Sequence, residues 1–161
     1  MFDPARGYPM IVPYLRYPDP ERAVQWFVAT LGARVAVRLT MPDGRIGHAE
    51  LVLGGSVFSL GLLLSEVEAE RPRPTRHTLS SMIVAFVDDV DAAVERGLAA
   101  GGELIDPPAD QPWGLRQAIL ADPGGHLWEL SRHLRDVPPS AWGAEQVSDL
   151  PGSSSATSSV R

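Results

Sequence analysis

The sequence has no cysteine, which removes a disulfide framework, a thiol nucleophile and every thiolate zinc or iron–sulfur site together. Any metal would have to sit on His, Asp or Glu. No apolar run is long enough to span a bilayer, and the longest, VLGGSVFSLGLLL from Val52, is interrupted by glycines. The opening MFDPARGYPM lacks a basic n-region and an apolar h-region, so no secretory signal is expected and the cytoplasm is the expected compartment. Basic clusters are missing too. With 14 Lys plus Arg against 20 Asp plus Glu the formal charge is −6, a phosphate backbone would be repelled, and neither nucleic acid nor a membrane is an expected partner.

What is present describes an ordinary globular chain. At 161 residues, with 44% hydrophobic and 21% charged residues, it is long enough for one domain with a real core. Self-comparison is more informative, because a duplicated unit fixes architecture before any motif is considered. VPYLRYPDPERA from Val12 lies over MIVAFVDDVDAA from Met82, and GGSVFSL from Gly54 lies over GGHLWEL from Gly124, both at a separation of 70 residues. Each copy runs in the same order. A short β-type run leads to an Asp suited to cap a helix, and apolar residues at helical spacing follow, Ala23, Val24, Phe27 and Leu31 in the first copy. Gly32 and Gly101 stop the helices, and three strand-like stretches come next, joined by MPDGR and GGS turns in the first copy.

The pattern predicts an α+β fold of two tandem βαβββ units whose curled mixed sheets surround a cleft. The domain is expected over residues 1–142. Its first unit spans about 8–66, a polar connector with His77 covers 67–79, and the second unit spans about 80–134, followed by a short extension. Residues 143–161, rich in Ser and Gly, read as a disordered tail.

A tandem βαβββ repeat ending in DPGGHLWEL resembles the vicinal oxygen chelate superfamily of glyoxalases, extradiol dioxygenases, and fosfomycin and bleomycin resistance proteins. PDGRIGHAELVLGGS, DQPWGLRQAILADPGGHLWELSRH and RDVPP narrow the resemblance to its PhnB-like branch. In metal-dependent members, four ligands come from the first and last strands of each unit. Carried over, those positions are Val12, Ser59, Met82 and Glu129, of which only Glu129 suits a hard divalent ion. The resemblance therefore implies a protein without the usual metal cage. No cofactor is expected; a divalent metal on the relocated set His48, Glu50 and Glu129 is the fallback.

Strand alternation places the other candidates. Trp128 and Leu130 share one face of the last strand and Glu129 takes the other, toward the cleft, as a ligand contact or a general base. His48 and Glu50 in GHAEL also share a face. Tyr14 and Arg16 lie on the face of Val12, where Arg16 can clamp an anionic ligand or pair with Glu129. Met82 and Phe86 supply apolar wall, Ser59 sits at a former ligand position, and Trp113 and Arg116 in QPWGLR can close over a planar ligand and reach its polar end. His126 in the PGGH turn reads as satisfying loop backbone, and His133 as ending the last strand.

These features lead to a small-molecule binder, with drug sequestration or resistance as the role the resemblance implies, that is expected to form a homodimer. The competing reading is an enzyme of the glyoxalase-like lyase, isomerase or dioxygenase kind, metal-free with Glu129 as base and Tyr14 or Arg16 as electrophile, or using the relocated metal.

Overall fold

A computed structural model describes residues 9–62 and 81–147. The connector 67–79 with His77, and the tail beyond residue 147, lie outside the described residues. The first unit comprises β1 (Tyr14–Tyr17), α1 (Pro20–Leu31), β2 (Arg34–Thr40), β3 (Ile46–Leu53) and β4 (Ser56–Leu62). The second comprises β5 (Met82–Phe86), α2 (Val90–Ala99), β6 (Glu103–Asp110), β7 (Leu115–Ala121) and β8 (Leu127–His133), with a short 3₁₀ helix, Pro139–Trp142, after it. Each unit forms its own four-stranded mixed sheet, ordered β1-β4-β3-β2 and β5-β8-β7-β6. The βαβββ repeat is borne out.

The capping chemistry matches in the two copies. Asp19 accepts from the Arg22 amide and Asp89 from the Ala92 amide, each satisfying an orphan donor of the first helical turn. Gly32 ends α1 in the left-handed conformation that favours glycine. Helix α1 buries Ala23, Trp26, Phe27, Thr30 and Leu31, so the inward stripe is shifted from the simple reading: Trp26 is fully buried and Val24 only partly so.

The 70-residue offset holds for β1/β5, the helices and β4/β8, but β3 and β7 are related by 69. Glu50 faces Ser59 across its ladder as Ile119 faces Glu129, and His48 faces Gly61 as Gln117 faces Ser131. One additional residue in the turn before β8 absorbs the slip. Leu53 and Ser56 flank Gly54–Gly55 in the first copy, whereas Asp122 closes on His126 around three residues in the second.

The two units meet through α1 and α2 and through one shared aromatic core. Phe27 touches Phe58 of its own unit and Trp128 of the other, with ring centroids 4.9 and 5.0 Å apart. The outer strands β2 and β6 are largely exposed and interrupted by register shifts, and β6 carries Pro107 and Pro108. Both devices discourage edge-to-edge pairing. Each sheet therefore packs one face on its helix and leaves the other open.

Candidate functional site

The open face of the second sheet holds a connected polar group. Glu129 is half-buried on β8, opposite the core residues Trp128 and Leu130. Its Oε1 accepts from Gln117 Nε2 at 2.5 Å and from Ser131 Oγ at 3.1 Å. Gln117 Nε2 also donates to Ser131 Oγ at 3.0 Å, and its Oε1 accepts from Trp113 Nε1 at 3.1 Å. The array is directional, because the carboxylate can only accept and indole can only donate, which fixes how the Gln117 amide is turned. Glu129, Gln117 and Trp113, with Asp106, Pro107, Ala109, Gln111 and Ile119, line a cup of about 370 Å³, and the fully buried Ser131 supports Glu129 from beneath it. Trp113 is continued outward by Trp142, 6.2 Å away edge to face.

The first sheet holds a second group. Tyr14 Oη lies 2.9 Å from His48 Nδ1, and His48 Nε2 lies 3.3 Å from Glu50 Oε1. Arg16 donates to the Leu62 carbonyl and sits 4.6 Å from the Tyr14 ring centroid. Ser59 is buried between them, with Tyr14 and Glu50 as its ladder partners.

Several expected positions fall elsewhere. The pairing of Arg16 with Glu129 does not form within this chain, since each has partners in its own sheet. The relocated metal set does not assemble either: His48 and Glu50 belong to one sheet and Glu129 to the other. Among the described residues no three His, Cys, Asp or Glu side chains converge. The inherited ligand positions offer Val12, Ser59, Met82 and Glu129, and one carboxylate with a hydroxyl and two apolar groups does not fit a hard divalent ion. Val12 precedes β1, and Met82 is exposed opposite Leu127. Phe86 lies instead on a groove of about 490 Å³ at the seam of the two units, with Ile11, Val57, Phe58 and Trp128.

Arg116 is turned away from the cup. Its guanidinium donates to both oxygens of Asp91, at 2.6 and 2.7 Å, and to Asp110 at 2.8 Å, tying β7 to the start of α2. Its face of β7 is that of Ala118 and Leu120, which pack in the core. The hydrogen bond from Arg116 holds the Asp91 carboxyl below its ordinary value. Because that pKa is lowered in the fold, the contribution is complete above about 3.9, the ordinary Asp value, and fades as pH falls through the lowered value. Arg116→Met is expected to lower the melting temperature by only a few degrees at neutral pH, and by less in acid, while leaving ligand affinity in the cup unchanged. Thermal melts at both pH values check this.

His126 serves the seam rather than its own turn: Nε2 lies 3.2 Å from the Arg16 carbonyl oxygen, and the ring meets Tyr17 edge-on at 4.9 Å. His133 pairs with Asp136 at 2.9 Å beyond the last strand. Gln117 and Ser131, the two residues that orient Glu129, were not singled out by the sequence reading. The available signal was alternation from Glu129 along β8 and from Gln117 along β7, joined by a register that only the β7–β8 turn length sets.

The profile of the Glyoxalase/Bleomycin resistance protein/Dioxygenase superfamily matches residues 8–130. The chain is 31% identical over 131 residues to protein Mb0911c of Mycobacterium bovis, covering 80% of this chain and 86% of that one. Among solved structures, TioX from Micromonospora sp. ML1 is 36% identical, with a TM-score of 0.59 over 77% of this chain and 98% of its own. A glyoxalase/bleomycin resistance protein/dioxygenase from Nocardioides is 28% identical, with a TM-score of 0.56 over 81% of this chain and 87% of its own.

Proposed function

The chain belongs to the Glyoxalase/Bleomycin resistance protein/Dioxygenase superfamily, and from that premise we propose that the cup of its second sheet binds a small organic molecule without a metal ion, as a sequestering protein does. The observation that carries this reading is the half-satisfied carboxylate of Glu129. Oε1 is held by Gln117 and Ser131, while Oε2 has no protein donor among the described residues. A carboxylate oxygen kept in a cup beside an indole suits a planar ligand with a cationic or N–H edge. The net charge of −6 favours cations in the same sense. This chemistry supports a protective, drug-binding role.

We also assign the chain to the PhnB-like branch, on the PDGRIGHAELVLGGS and DPGGHLWEL segments, and regard it as a cytoplasmic homodimer. Exposed Val84 and Phe86 on β5 support the dimer, since contiguous apolar surface favours burial against a partner.

Acridine orange, a planar organic cation, is the probe for the cup. Titration followed by tryptophan quenching is expected to show binding that Glu129→Gln weakens about tenfold, through loss of a charge-assisted hydrogen bond. Trp113→Ala is expected to weaken it about as much, through loss of stacking. Affinity unchanged in both variants would overturn the reading. Native mass spectrometry should show a dimer carrying no divalent metal, and a stoichiometric metal would equally overturn it.

The second reading, a lyase or isomerase with Glu129 as base, draws on the same available oxygen. It predicts that Glu129→Gln keeps binding and loses turnover. The electrophiles considered for it, Tyr14 and Arg16, stand on the other sheet of the chain.

A further inference from the structure

The cup holds a second carboxylate besides Glu129. Asp106 on β6 is the ladder partner of Ile119, and Ile119 is the ladder partner of Glu129, so the three stand in one row across β6, β7 and β8. Val84 on β5 continues the row. Ladder partners project to the same face of a sheet, which makes the row acid, apolar, acid, apolar. A bulge is what aims Asp106 there. Leu104 faces Leu120 and Asp106 faces Ile119, so Ile105 is an additional residue in β6; in plain alternation Ile105 would face Ile119, and Asp106 would turn inward beside Ala118. Pro107 then favours extended backbone at Asp106, because the helical region is disfavoured for a residue before proline. The bulge recurs in the first unit, between Val35 and Val37, but there it presents Val37 opposite Glu50. Of the two units, only the second has an acid at this position.

We propose that Asp106 determines the specificity of the cup, and that the ligand is a flat aromatic molecule with N–H donors at two opposite ends, one for Asp106 and one for Glu129. This rests on the reading of the cup as a metal-free binding site. Neighbouring strands lie about 4.8 Å apart, so two carboxylates separated by one strand stand roughly 10 Å apart along the row. Three fused rings with an amino group on each outer ring span a comparable distance. Ile119 between the carboxylates gives such rings an apolar floor, and Trp113 gives them an aromatic wall. Both carboxylates can accept: the Asp106 side chain has no hydrogen-bond or ion-pair partner among the described residues, and Glu129 keeps Oε2. A ligand that donates at one end leaves Asp106 unused, so the pair discriminates by the span between donors as well as by charge.

Proflavine, with an amino group at each end of its three rings, and 3-aminoacridine, with one, test the idea by fluorescence titration near pH 6, where each is a singly charged cation. The wild-type chain is expected to bind proflavine about tenfold more tightly, through one additional charge-assisted hydrogen bond. Asp106→Ala is expected to reduce that preference to about twofold, the factor proflavine retains from its two equivalent orientations. The same variant should change 3-aminoacridine affinity by no more than about threefold, since the lost charge is exposed. Asp106→Glu, which keeps a carboxylate in the row, is expected to keep most of the preference. A purely structural role would move the melting temperature and leave the ratio alone. Wild-type affinities within about twofold of each other, or a preference that survives Asp106→Ala while Glu129→Gln still weakens proflavine, would overturn the assignment of Asp106 and leave the cup standing. Absence of binding by either dye, or binding indifferent to Glu129→Gln, would overturn the cup and this proposal together.

Discussion

Asp122→Ala is expected to remove about 3–4 kcal/mol of stability, because several buried donors lose their acceptor in one substitution. Asp122 is 4% exposed. Its Oδ2 accepts from Tyr17 Oη at 2.5 Å and Trp128 Nε1 at 3.1 Å, and its Oδ1 from the Gly124 and His126 amides at 2.8 and 3.1 Å. Tyr17 comes from the first unit and the other three from the second, so this carboxylate fastens the turn before β8 to the end of β1. Gly124 belongs to the same fastening, since a Cβ there would strike the Tyr17 ring. Burial first, and then the charge and hydrogen bond of Asp122, push the Tyr17 phenol far above its ordinary value. A raised folded pKa means that this contribution is complete below the ordinary Tyr value near 10 and is lost only as pH rises beyond it. Urea unfolding at neutral pH should therefore show the full loss for Asp122→Ala and a smaller one for Asp122→Asn, which keeps one accepting oxygen. A midpoint for the alanine variant within experimental error of wild type would refute the role.

The same residues show how far the sequence could be read. The repeat was legible because Asp19 and Asp89, Gly32 and Gly101, and the GGSVFSL and GGHLWEL strands recur in order, and each has a local cause: a cap, a left-handed stop, an alternating strand. Glu129 was legible for the same reason, since the apolar face of β8 had to meet the helix. Arg116 was misplaced although alternation was available: Ala118 and Leu120 share its face, and Asp91 waits at the start of α2. Its guanidinium went to a charge supplied by another element, which no single strand displays. The slip from 70 to 69 between β3 and β7 was likewise hidden, because one residue inserted in a turn changes register without changing strand composition. That slip sets Gln117 opposite Ser131 and beside Glu129. It explains why the two open faces, built from one ancestral-looking pattern, carry different chemistry: Tyr14, Gly61 and His48 on one, Val84, Ser131 and Gln117 on the other.

Phe27→Ala is expected to be the most damaging single core truncation, costing about 3–5 kcal/mol from lost burial and the cavity left behind. Phe27 is fully buried and is the ring on which both units converge. It meets Trp26 at 5.2 Å, Phe58 at 4.9 Å, Trp128 at 5.0 Å and Tyr17 at 6.3 Å, in edge-on arrangements that add to the area term. Trp128 is the immediate neighbour of Glu129 and points to the opposite side of β8, so a cavity at Phe27 opens beneath the strand that carries the cup. Stability and binding should fall together here. Phe27→Leu, which refills most of the volume, is expected to recover much of both. Chemical unfolding and acridine orange titration of the two variants check the coupling. Unimpaired binding by a Phe27→Ala protein that has lost the expected stability would mean that β8 holds its position without the shared core.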